Sequence, residues 1–205
     1  MMRDYVARIH LRFVMSYKFA GLLLLAAIAA ARVDAAQVDG RVLLPDGKPA
    51  KEAIVYLKGK STSVPLHNAS VDQRNKTFIP HVSVITQGTR VRFPNDDTVF
   101  HNVFAYYQAK KFDLGMYPRG ASKTVTFDKP GLVALLCNVH SQMSAYIMVV
   151  DTPYYAVTDA DGRFHIADVD AGSYELHGWH ESGGEADESI AVSGDAHDAV
   201  VKLKR

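Results

Sequence analysis

Past residue 36 the chain is one short strand after another, each closed by a turn signal, and nothing there makes a convincing soluble helix. Residues 38–44 alternate loosely and stop at Pro45-Asp46-Gly47. Residues 53–57 are a short apolar strand, and residues 59–77 are polar and irregular, a loop holding one strand. Residues 78–85 read as a strand before the turn Gln87-Gly88-Thr89. Val91 and Phe93 alternate with arginines as far as Pro94-Asn95-Asp96-Asp97, and residues 99–106 are short and aromatic. Residues 122–127 alternate cleanly, and Lys129-Pro130-Gly131 turns the chain. Residues 132–137 and 145–150 are apolar enough to be buried strands. Turns at this density predict an all-β sandwich.

The last fifty-odd residues keep the same habit. Residues 155–158, 163–166 and 174–179 read as strands separated by Asp159-Ala160-Asp161-Gly162 and Asp170-Ala171-Gly172, with 200–203 as a short final strand. A segment of that size is too small for a comfortable core without disulfide or metal. It therefore packs on something, and residues 38–58 are one candidate for completing a small sandwich with it.

The N-terminus predicts export. Arg3, Arg8, Arg12 and Lys18 precede an apolar stretch over residues 19–31, and Val33-Asp34-Ala35 follows as a small-residue cleavage site. That is the layout of a secretory signal peptide over residues 1–35, cleaved near Ala35. Met15 offers a more compact start, and an uncleaved anchor is the alternative, although the apolar run is short for a bilayer. The expected location is periplasmic or otherwise exported, with no stable membrane insertion after cleavage.

Charge is unevenly placed. Residues 36–150 carry 14 Lys+Arg and 8 Asp+Glu, whereas residues 151–205 carry 4 Lys+Arg and 12 Asp+Glu. No basic run with interleaved aromatics occurs, so nucleic acid is not an expected partner. The opposite signs suit contact between the halves, separate partners, or two ordinary solvated surfaces.

The chain has one cysteine, so no internal disulfide can form, and a lone exported thiol is a liability unless buried or occupied. Cys137 lies in Cys137-Asn138-Val139-His140-Ser141-Gln142-Met143, directly after the apolar run 132–136. A thiolate, an imidazole and a thioether on one tight loop form a soft donor set suited to copper that cycles between two oxidation states. A blue-copper site needs a second histidine, and His101 in the upstream segment 93–103 is the candidate. The expected metal ligands are His101, Cys137, His140 and Met143, around one copper ion.

With these residues in view, residues 78–150 resemble a cupredoxin of the plastocyanin and amicyanin type. The matching stretches are Phe78-Ile79-Pro80, Gly88-Thr89-Arg90-Val91-Arg92-Phe93, His101-Asn102-Val103 and the segment from Cys137 to Met143. The two residues between His140 and Met143 resemble the short amicyanin loop. The resemblance covers most of residues 37–150 and implies a Greek-key β-sandwich and electron transfer through bound copper. Chains that combine such a domain with a tail of this kind also resemble exported methylamine-utilisation proteins. The tail, residues 151–205, resembles a carboxypeptidase regulatory-like β-sandwich through Asp161-Gly162-Arg163-Phe164 and Asp170-Ala171-Gly172-Ser173-Tyr174, which implies a scaffold or binding role. Two departures stand out. Asn138 and Val139 occupy the place where such loops commonly carry proline, and the segment between His101 and Ser122 is long, with Tyr106, Tyr107, Lys110, Lys111, Phe112, Met116 and Tyr117. That insertion is expected either to cover the site or to form a partner surface.

Each ligand has an ordinary alternative. Cys137 and Met143 can be core residues, His101 can satisfy a turn, and Gln142 or a backbone oxygen can replace Met143 as the axial group. Asn102 is expected to fix loop geometry by side-chain hydrogen bonds. His81 could be an extra ligand or a satisfied strand residue, and His177 and His180 fall on opposite faces of a strand and read as structural. Two glycosylation acceptor motifs, at Asn68 and Asn75, carry no assignment beside a leader of bacterial type. No phosphate loop, paired helical carboxylates or serine elbow is present, and a Cys-His nucleophile is the weaker reading, so no enzymatic activity is expected. The function expected from sequence is single-electron transfer with a redox protein partner. Copper storage or delivery through the same ligands, and a structural sandwich with a vestigial site, are the alternatives.

Overall fold

Turn chemistry and alternation decide where this chain forms strands. The computed structural model describes residues 35–59, 66–106 and 109–204, so residues 1–34, with the expected signal peptide, lie outside the described part, as does Tyr107. The first strands are β1 (Ala36–Leu43), β2 (Ile54–Lys58), β3 (Ala69–Ser70), β4 (Asp72–Arg74), β5 (Thr77–Ile79), β6 (Val82–Thr86), β7 (Arg90–Pro94) and β8 (His101–Ala105). They are followed by β9 (Phe112–Tyr117), β10 (Ser122–Thr126), β11 (Gly131–Leu136), β12 (Ser144–Val150) and β13 (Tyr155–Val157). The last four are β14 (Arg163–Val169), β15 (Gly172–His180), β16 (Gly184–Val192) and β17 (Ala196–Lys202). The described residues contain no helix, and the protein is an all-β sandwich fold.

Two sandwiches are built from four sheets. In the first, a sheet ordered β6-β12-β11-β8-β9 faces a sheet ordered β10-β7-β3, and β4 and β5 pair as a two-stranded sheet of their own that puts Phe78 into the same core. Their core holds Phe78, Val91, Phe93, Val103, Phe127, Leu135, Ile147 and the expected ligands Cys137 and Met143. In the second, β14-β1-β17 faces β13-β2-β15-β16 around Val38, Val42, Val55, Leu57, Phe164, Leu176, Val201 and Leu203. The N-terminal strands thus hydrogen-bond with the tail: β1 lies between β14 and β17, and β2 between β13 and β15. Gly40 permits that packing, because a Cβ there would lie 2.2 Å from the Ala199 carbonyl oxygen and 2.6 Å from the Phe164 ring.

A third apolar layer joins the sandwiches. Alternation sends Val55 and Leu57 of β2 into the tail core and Ile54 and Tyr56 the other way. On β12, Ala145, Ile147 and Val149 enter the site-bearing core, whereas Tyr146, Met148 and Val150 meet Ile54, Tyr56, Tyr155 and Trp179. Burial on both faces is the reason residues 145–150 read as an unbroken apolar run. Fully burying a side chain such as Ile54 contributes about 1.5–3 kcal/mol. His81 fastens the same seam: its Nδ1 lies 3.0 Å from the Ser144 carbonyl oxygen and its Nε2 3.0 Å from a Glu181 carboxylate oxygen.

Several elements differ from the sequence reading, and residues 59–77 hold two short strands, β3 and β4, where the sequence predicts one. The predicted strand over residues 78–85 is split into β5 and β6 at Pro80, which has no N–H to donate to a ladder. The long segment after His101 is partly strand, with β9 pairing antiparallel to β8 through His101↔Tyr117 and Asn102↔Met116. Gly115 and Asp113 had masked its alternation. Finally, residues 184–192 are acid-rich and the sequence assigns them no strand, yet they form β16, which pairs along its whole length with β15 as a charged edge strand.

Candidate metal centre

The site is assembled from the start of β8 and the loop that follows β11. The chain between β7 and β8 wraps a fully buried asparagine. Asn95 Nδ2 donates to the carbonyl oxygens of Val99 and Tyr117, each at 3.0 Å, and its Oδ1 accepts the Asp97 N–H at 3.0 Å. That wrapping turns Asp97 inward. Its Oδ2 accepts the Lys76 N–H at 2.7 Å and lies 2.9 Å from His101 Nε2, and its Oδ1 accepts the Thr98 N–H at 2.7 Å. The Lys76 N–H, and next the His101 bond, hold the Asp97 carboxyl well below the ordinary range. A carboxylate on Nε2 fixes the imidazole so that the lone pair sits on Nδ1, the arrangement that orients metal-binding histidines.

His101 is completely buried, and its Nδ1 lies 3.9 Å from Cys137 Sγ. Cys137 is buried at the end of β11, where Leu136 is paired with Phe104 of β8 and with Ser144 of β12. One residue on, the Asn138 N–H donates to Asn102 Oδ1 at 2.7 Å, so Asn102 ties the cysteine loop to the histidine strand as expected from sequence. A tight turn follows, in which the Met143 N–H donates to the His140 carbonyl oxygen at 2.9 Å. This turn brings His140 Nδ1 to 4.0 Å from Cys137 Sγ and the His140 ring to 4.9 Å from the His101 ring. His140 is half-buried, and desolvation, with His101 and Lys76 adding, lowers its pKa from the ordinary histidine value. It therefore offers a neutral ring with an available lone pair.

One donor atom each from His101, Cys137 and His140 lie within 4.8 Å of one another, and no other cluster of this kind occurs among the described residues. Bonds of about 2.0–2.3 Å at trigonal angles separate donors by roughly 3.5–4 Å, which the two thiolate–imidazole distances match. The donor types suit a soft metal ion, and the remaining imidazole–imidazole separation, within 4.8 Å, would close on binding one. Met143 is buried in the same core as Cys137, while Gln142, the alternative axial group, is exposed.

The other histidines weighed from the sequence lie elsewhere. His81 is engaged at the seam between the sandwiches. His177 Nδ1 lies 2.6 Å from an Asp187 oxygen, with its ring 4.8 Å from that of Tyr56. His180 bonds the Lys51 carbonyl oxygen and Ser182. Asp97 is the site residue that sequence reasoning missed, since Asp96-Asp97 reads as a turn and nothing there tells which acid points inward.

No protein-family model and no curated protein matches the chain. Among solved structures it is similar to a purple cupredoxin from Nitrosopumilus maritimus, with 22% identity and a TM-score of 0.37, over 40% of this chain and 99% of that one. It is also similar to the copper-containing nitrite reductase NirK of Thermus scotoductus, with 23% identity and a TM-score of 0.39, over 46% of this chain and 25% of that one. A mutant of amicyanin in its reduced Cu(I) form at pH 4 is 16% identical with a TM-score of 0.39, over 47% of this chain and 98% of that one.

Proposed function

We propose that this chain is an exported, periplasmic copper protein of the cupredoxin kind that carries single electrons through one mononuclear site and catalyses no reaction of its own. The observation that supports this reading is the convergence of His101 Nδ1, Cys137 Sγ and His140 Nδ1 on one point at the end of a sandwich. His101, Cys137 and His140 would hold the ion, with Met143 as the weak axial donor. Bound copper would supply a one-electron couple. The protein keeps the donors still: Asp97 fixes the His101 ring, Asn102 fixes the Cys137 loop, and the Met143–His140 turn fixes the rest. Donors that do not move between oxidation states make for fast exchange with little rearrangement.

His140 is the ligand nearest solvent, and Phe100, Met116 and Val139 are exposed apolar side chains on the elements beside it. Such a rim suits transient docking of a redox protein. The β9 segment then serves as partner surface. The tail sandwich is read as a scaffold.

The test is to add cupric ion to the protein and record visible absorption and electron paramagnetic resonance. An intense thiolate-to-copper band with small hyperfine splitting, together with reversible one-electron reduction, is expected. A weak spectrum of nitrogen and oxygen ligands would mean Cys137 is not bound and would end this reading. Loss of cuprous ion to a chelator without reversible electron transfer would replace it with storage or delivery.

A further inference from the structure

Asp97 holds the His101 ring, and it also brings a full negative charge to the edge of the candidate metal centre. The residue is only 7% exposed. Its Oδ2 accepts the Lys76 N–H at 2.7 Å and lies 2.9 Å from His101 Nε2, and its Oδ1 accepts the Thr98 N–H at 2.7 Å. Hydrogen bonds of this kind favour the ionised carboxylate. The donors are neutral, so they stabilise the charge without cancelling it. Among the described residues no lysine or arginine pairs with Asp97, and its one ionic partner is His101. That ring is neutral when Nδ1 keeps the lone pair a metal ion needs.

The field of this carboxylate extends across the site. It acts on His140 as well as on His101, and there the Lys76 ammonium acts in the opposite sense. The two charges are not equal opponents. Lys76 is exposed, and water and salt screen its ammonium. Asp97 is buried behind the ligand, where screening is weak.

Counting charge shows the consequence, which rests on the copper reading above. With a thiolate at Cys137, a cupric ion leaves one net positive charge and a cuprous ion leaves none. Asp97 adds one negative charge to each state, so the cupric centre becomes neutral and the cuprous centre becomes a buried anion. An uncompensated charge is costly in a site of this burial. We propose that Asp97 is a positioning residue whose fixed charge also biases the centre toward the cupric state and lowers its reduction potential. It opposes the buried Met143, since a soft thioether favours cuprous ion. The partner that takes the electron can then be a weaker oxidant than a centre without this acid would need.

The experiment compares the full-length mature protein with Asp97→Asn, which removes the charge and keeps the size. Affinity for each oxidation state is read by competition, with a cupric chelator and with a cuprous one, and the potential by voltammetry. Loss of ring orientation weakens both affinities alike, whereas loss of charge weakens the cupric one more. The expected result is a cupric affinity that falls at least about tenfold further than the cuprous, with the potential raised by about 59 mV or more. An unchanged ratio in a folded variant, or a change in the other direction, overturns the proposal. Redox-difference infrared spectroscopy of the wild-type protein keeps the test open if the variant does not fold. An ionised carboxylate band that moves with the oxidation state supports the proposal, and its absence, or a protonated carboxyl band in either state, overturns it. A wild-type protein without the thiolate-to-copper band would instead end the copper reading itself, so the two failures are distinct.

Discussion

Replacing Asp97 by alanine tests the proposed metal centre through a residue that would not touch the ion. The carboxylate is buried and holds the Lys76 N–H at 2.7 Å and His101 Nε2 at 2.9 Å. Loss of an outer carboxylate on a ligating histidine typically weakens metal binding 10–100-fold, or about 1.4–2.7 kcal/mol. The apoprotein should also lose about 1–3 kcal/mol, because donors inside the loop are left without an acceptor. For a chain of this size that lowers Tm by roughly 2–10 °C. Copper affinity is read by competition with a cuprous chelator, and apoprotein stability by thermal unfolding followed by circular dichroism. The control is Asp96→Ala, an exposed neighbour 3.3 Å from Arg74, which should change stability by less than about 1 kcal/mol and leave copper affinity alone. A variant that melts lower yet binds copper as wild type does would refute the positioning role. If neither quantity moves, the buried Asp97–His101 contact is not formed.

Three other outcomes follow from the geometry. Cys137→Ala should abolish the visible colour, whereas Met143→Leu should keep copper and shift the reduction potential, both read by absorption and voltammetry. A chain ending at Val150 should melt well below the full-length protein or aggregate, since β1 and β2 then lose every strand with which they pair, and size-exclusion chromatography with thermal unfolding would show it. Gly40→Ala should cost several kcal/mol, at the upper end for single substitutions, because its Cβ would overlap the Ala199 carbonyl oxygen at 2.2 Å, and chemical denaturation measures the loss.

Much of this was legible in the residues, for reasons that differ by element. Alternation with turn glycine or proline marked β7 and β10, since a half-buried strand must alternate, and an apolar run after Lys129-Pro130-Gly131 marked β11. The spacing Cys137, His140, Met143 was readable because one tight loop carries all three. What escaped was whatever tertiary contact decides. β9 and β16 have weak local preference for strand and are held by their partners β8 and β15. Asp97 and Asp96 are equivalent on paper, and only the wrapping of Asn95 selects one for His101. The pairing of β1 with β17 joins segments more than 150 residues apart, and no local pattern announces it.

That last pairing sets the order in which the molecule can be finished. The first described strand lies between β14 and β17, so it has no sheet to enter until β14 has been made. β2, waiting for β15, supplies one wall of the apolar seam against which β12 rests its second face. The strand that closes the loop from Cys137 to Met143 therefore reaches its full support only after β15 has been made. A chain made as far as Met143 already carries all four proposed ligands, but their foundation arrives later, and pairings this distant form slowly.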